Sequence, residues 1–163
     1  MGIRNIPLVT GEFFHVYNRG NSKQKIFLDN EDYERFTKLL YLCNSEKRIN
    51  FRDDIVDKHI EAYDFERGDL IVNIGAWVLM PNHFHIYITS PKNCLGEGGL
   101  ENISRFMLKL CTSYSKYFNK KYSSKVSKAN VGIVRNCQVL FEQIRNQTNY
   151  SIWCLLIVLF TWI

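Results

Sequence analysis

Ile71-Val72-Asn73-Ile74-Gly75-Ala76-Trp77-Val78-Leu79-Met80-Pro81-Asn82-His83-Phe84-His85-Ile86-Tyr87-Ile88 reads as two apolar strands joined by a tight turn at Pro81-Asn82. Side chains on a strand alternate between faces, so His83 and His85 share one face of the returning strand, about 6.5–7 Å apart along it. Two imidazoles at that spacing can converge on one divalent metal ion. The same spacing also fits a strand with two half-buried, hydrogen-bonded histidines, and the pair alone leaves both readings open.

Outward from this hairpin the chain alternates between strand and helix patterns. Residues 11–19 read as a first strand, closed by a turn at Gly20-Asn21-Ser22. Asp29 or Asn30 can cap a helix running to about Asn44, with Tyr33, Phe36, Leu39, Leu40 and Cys43 on one face. Residues 45–69 hold 13 Asp, Glu, Lys or Arg among 25 and read as an exposed excursion with one or two helical turns. Pro91 ends the His strand, and Gly96-Glu97-Gly98-Gly99 forms a loop. Asn102 can cap a helix that starts near Leu100 or Ile103 and runs to Lys120. Its apolar face is Ile103, Phe106, Met107, Leu110, Tyr114, Tyr117 and Phe118. Residues 123–130 read as a basic loop and 138–141 as a fourth strand. The order βαββαβ is ferredoxin-like: an α+β fold with an antiparallel sheet, helices on one face and the His strand central. Residues 1–163 are expected to form a single domain.

Composition narrows the function classes. The chain is 46% hydrophobic and 23% charged, which excludes a disordered segment. Cys43, Cys94, Cys111, Cys137 and Cys154 form no Cys-x-x-Cys pair, so a reduced, cytoplasmic protein is expected, without a disulfide framework or zinc ribbon. Residues 152–163 are nearly all apolar, yet twelve residues fall short of the roughly 20 a membrane-spanning helix needs. A buried final element is expected there, not a membrane anchor. Net charge is +5, but residues 102–141 contain eight Lys or Arg and no acid, which leaves −3 for the remainder. One-sided charge of this kind suits a polyanion. Arg105, Lys109, Lys116, Lys120 and Lys121 are the candidate DNA-binding residues, with a solvated basic face as the plain alternative.

Met80-Pro81-Asn82-His83-Phe84-His85 resembles the Pro-Asn-His-hydrophobic-His signature of single-tyrosine insertion-sequence transposases in the HUH superfamily, the REP-associated tyrosine transposases among them. The likeness extends to Phe14-His15-Val16-Tyr17-Asn18-Arg19-Gly20, to Ser104-Arg105-Phe106-Met107 and to residues 114–121, and covers about residues 10–122. It implies cleavage and rejoining of single-stranded or hairpin DNA. A tyrosine hydroxyl attacks the scissile phosphate, leaving a 5′-phosphotyrosine link and a free 3′-hydroxyl. It also implies a magnesium or manganese ion on His83 and His85, completed by one side-chain oxygen.

From about Tyr122 the chain departs from that family. Its late Tyr-Ile-x-x-Asn-Pro motif, which supplies the nucleophile and the third metal ligand, is absent. Leu140-Phe141-Glu142 with Arg145 is a faint trace of a neighbouring segment, and Tyr150 has Cys154 one turn later where the ligand would stand. Residues 123–163 therefore read as atypical or truncated, as a frameshift would make them; the catalytic residue is unknown, and an intact enzyme and a disabled copy both stay open. Tyr114 and Tyr117 read as core, His15 as structural and His59 as solvated. Two other readings stay open. One is a non-catalytic single-strand-binding module stacking bases on Tyr17, Tyr87 and Phe84. The other is a metal-dependent phosphodiesterase that uses water. Oligomeric state is open, a homodimer included.

Overall fold

The fold is that of a computed structural model, which describes residues 13–91, 98–122 and 140–143. Four strands and two long helices follow the expected order: β1 (Phe13–Arg19), α1 (Asn30–Cys43), β2 (Asn73–Met80), β3 (His83–Thr89), α2 (Gly98–Tyr122) and β4 (Leu140–Gln143). The strands make one sheet in the order β2-β3-β1-β4, and each neighbouring pair is antiparallel. The His strand β3 is central. The first two residues of the expected 138–141 strand, the 123–130 loop and the apolar tail lie outside the described residues.

Local chemistry explains the element ends. Asp29 caps α1: its carboxylate accepts from the Asp32 backbone N–H at 3.1 Å, while the Asp32 carboxylate accepts from the N–H groups of Leu28 (2.8 Å) and Asp29 (3.4 Å). The β2–β3 turn is two residues long and is held from outside. The Pro81 carbonyl accepts from Ile26 and Phe27, and the Asn82 carbonyl from Gly20. At Gly20 a side chain could not fit, because a Cβ would lie 2.2 Å from the Gln24 carbonyl oxygen. Gly75 is the extra residue where the β2–β3 register shifts, and a Cβ there would meet the Tyr87 ring at 2.9 Å.

Alternation divides the sheet into two unlike faces. Phe14 and Val16 of β1 and Phe84, Ile86 and Ile88 of β3 are buried under both helices. Phe36, Leu39 and Leu40 of α1 and Ile103, Phe106, Met107, Leu110 and Tyr114 of α2 complete that core. Phe36 packs against Phe84 at 4.8 Å and Tyr114 at 5.1 Å between ring centres. Phe84 is thus inside the protein and unavailable for base stacking. The charged excursion differs from its exposed expectation, since it buries a small core of its own. Ile55 and Ala62 pack with Leu42, flanked by Tyr41, Ile49, Phe51 and Phe65. Its ends are tied by Asn44, whose side-chain oxygen accepts from Ile71 and Val72 and whose amide donates to the Val72 carbonyl. Cys43 and Cys111 are buried thiols. Among the described residues no helix is long and apolar enough to cross a membrane.

Candidate functional site

The second face of the sheet carries the chemistry. In the β1–β3 ladder His15 pairs with Tyr87, Tyr17 with His85 and Arg19 with His83. Directly opposed residues share a face. Three histidines, two tyrosines and an arginine therefore lie on the side away from the helices.

His83 and His85 stand close together, their ring centres 5.1 Å apart and their planes at 81°. With metal–nitrogen distances of about 2.1 Å, two imidazoles sharing one ion place their ring centres about 5 Å apart. The tautomer of His83 follows from its neighbours. The Asn82 amide nitrogen donates to the Lys23 carbonyl at 3.3 Å, which turns its oxygen towards His83 Nδ1 at 2.6 Å. An amide oxygen only accepts, so Nδ1 carries the proton and Nε2 the lone pair. A hydrogen-bond partner of this kind fixes the tautomer and orientation of a histidine ring. Asn82, the turn residue, thereby acts on the site as well as on the hairpin.

Both rings are held neutral. Burial pushes the His85 pKa down to about 4, helped by the neighbouring His15 and His83. Burial also lowers that of His83, with a further contribution from the Arg19 charge. Neutral imidazole is the metal-binding form. Among the described residues no group of three His, Cys, Asp or Glu is placed to hold a metal, so His83 and His85 could offer two donors.

Reading the sequence missed two members of this face. His15 was expected to be structural, and it is buried at 7% exposure. Its Nε2 nevertheless lies 2.7 Å from His85 Nδ1, and the two rings meet edge to edge, their centres 4.9 Å apart and their planes within 13°. Arg19 is exposed beside His83. The local signal was the odd-numbered alternation His15, Tyr17, Arg19, but only the pairing of β1 with β3 gives it meaning.

The predicted DNA-binding cations lie elsewhere. All five sit on α2, whose inner side covers the opposite face of the sheet, so the structure does not bring them to the histidines. Arg105, Lys109 and Lys121 are engaged as follows. Arg105 donates to the Glu46 carbonyl, and Lys109 to the carbonyls of Ser45 and Lys47, closing the loop after α1. Burial lowers the Lys109 pKa. Lys121 meets Asp29, Glu31 and Asp32 at 2.7–3.0 Å. Burial opposes its charge, but hydrogen bonds to Asp29, Tyr117, Glu31 and Asp32 prevail and raise its pKa. Lys116 and Lys120 are exposed. Tyr114, buried, donates to the Ile26 carbonyl, and Tyr117 to Asp32, in keeping with core roles for both. Tyr150 and Cys154 lie outside the described residues.

No protein-family model matches the sequence, and neither does any curated protein. Among solved structures the chain is similar to a REP-associated tyrosine transposase bound to a REP hairpin, with a TM-score of 0.50 and 15% identity over 94% of this chain and 68% of that one. It is also similar to a candidate transposase from Deinococcus radiodurans R1, with a TM-score of 0.48 and 12% identity over 96% and 94% of the two chains. At these identities the likeness is one of fold.

Proposed function

We propose that this chain processes single-stranded or hairpin DNA by metal-dependent strand cleavage and rejoining, in the manner of a tyrosine transposase. The observation that carries the reading is the His83–His85 pair: two neutral rings on one face, at a separation that fits a shared ion. The fold shared with a hairpin-bound transposase supports it. A magnesium or manganese ion on the pair would polarise a phosphoryl oxygen and orient the phosphate for in-line attack. Arg19 places a positive charge beside His83, where a DNA phosphate would approach. Tyr17 and Tyr87, half-buried on the same face, offer ring surface to unpaired bases. Lys116 and Lys120 are the α2 cations proposed to meet phosphate, on the far side of the protein.

Tyr17 and Tyr87 also favour a second reading, a single-strand-binding module without cleavage. Incubating the protein with labelled hairpin DNA and manganese separates the readings. A denaturation-resistant protein–DNA adduct is expected for a tyrosine transposase. Cleavage without an adduct identifies a phosphodiesterase that uses water, and binding alone identifies the module. Absence of binding at low salt rejects all three.

A further inference from the structure

We propose that His15 is a positioning residue for His85: its Nε2 accepts a hydrogen bond from His85 Nδ1–H and so keeps the lone pair of His85 on Nε2, the nitrogen that can ligate a metal. The inference rests on the metal reading of the His pair. Its basis is the 2.7 Å contact between nearly coplanar rings whose centres lie 4.9 Å apart, made from a strand 70 residues away in sequence. β1 and β3 are antiparallel neighbours over seven register pairs, so the backbone fixes where His15 sits. The His15 ring is buried and also stacks on Tyr17 at 5.4 Å, which limits its freedom to turn away.

The arrangement repeats the logic seen at His83. There Asn82 Oδ1 takes the Nδ1 proton from one side. At His85 a second imidazole does the same work from the neighbouring strand. Were His15 to donate instead, His85 would carry its proton on Nε2 and would have to lose it or change tautomer before binding a metal. With both Nδ1 atoms engaged as donors, both Nε2 lone pairs are set before any ion arrives.

The test uses the full chain. Long-range proton–nitrogen NMR spectra of the metal-free protein at neutral pH are expected to show His85 protonated on Nδ1 in the wild type. The same tautomer is expected in His15→Gln, whose amide oxygen reaches the place of Nε2, while His15→Phe, which keeps a ring to stack, should show a mixture. Manganese affinity should be near wild type in His15→Gln and weaker by about 10–100-fold in His15→Phe, the usual effect of losing such a partner. Wild-type His85 protonated on Nε2 overturns the inference, as does full manganese affinity in a folded His15→Phe protein. If His15→Phe does not fold, the wild-type spectrum decides. Equal manganese binding by the wild type and a His83→Ala, His85→Ala protein would be a different failure, that of the metal reading itself.

Discussion

The two faces of one sheet are built from alternate residues of the same two strands, yet they do opposite things. Phe14, Val16, Phe84, Ile86 and Ile88 disappear into a core shared with both helices. His15, Tyr17, Arg19, His83, His85 and Tyr87, one residue out of step, form a polar, aromatic surface. The first face stabilises the protein through apolar burial; the second joins its histidines by side-chain hydrogen bonds and packs His15 and His85 against the ring of Tyr17. Stability and chemistry are therefore separable here at single-residue resolution, because a strand exchanges faces at every step.

Neighbouring residues on β3 give the sharpest way to break this contrast. Phe84→Ala should cost about 3–5 kcal/mol in urea unfolding, since it removes a ring only 3% exposed and leaves a cavity against Phe36. His85→Ala, one position on, should cost about 1 kcal/mol or less, the range of an ordinary hydrogen bond. Equal costs would mean that the second face also serves as core.

Asp32 tests the helix side from its polar end. Its carboxylate is fully buried and is held by Lys121, Tyr117, Tyr122 and the N–H of Leu28. Asp32→Ala leaves those donors and the Lys121 charge without their acceptor and should cost about 3 kcal/mol. A much smaller loss would show that Lys121 is compensated by Asp29 and Glu31 alone.

The pH dependence of stability sharpens the other face. The folded pKa of His85 is about 4, below its ordinary 6.5, so the folded state binds fewer protons than the unfolded one between those values. Its contribution is complete above pH 6.5 and is lost as pH falls towards 4. In His85→Ala the stability profile across that window should be flatter than in the wild type. Identical profiles would show that His85 is not held neutral by its surroundings. A similarly small effect is expected at the bulge, where Gly75→Ala presses on the Tyr87 ring and should cost about 1 kcal/mol, read by thermal unfolding.

What could be read from residues alone follows the range of the interactions. The hairpin, the Asp29 cap, the apolar stripes of both helices and the shared face of His83 and His85 depend on spacings of one to four residues, and all are present. The role of His15 depends on strands 70 residues apart in sequence and could not be seen locally. Charge misled in the same way. Arg105, Lys109 and Lys121 look like a basic helix face until the carbonyls of residues 45–47 and the carboxylates at the start of α1 are folded against them. In the excursion, 13 charges in 25 residues hid the few apolar side chains, Ile55 and Ala62 among them, that pack it onto Leu42.

The central claim is that the polar face is a metal centre built on His83 and His85. Calorimetric titration of manganese into the wild type and into the His83→Ala, His85→Ala protein tests it most directly, with urea unfolding of both as a control for folding. One ion per chain in the wild type, and loss of that binding in a double variant that unfolds at nearly the same urea concentration, is the predicted result. Equal manganese affinity in the two proteins would contradict it.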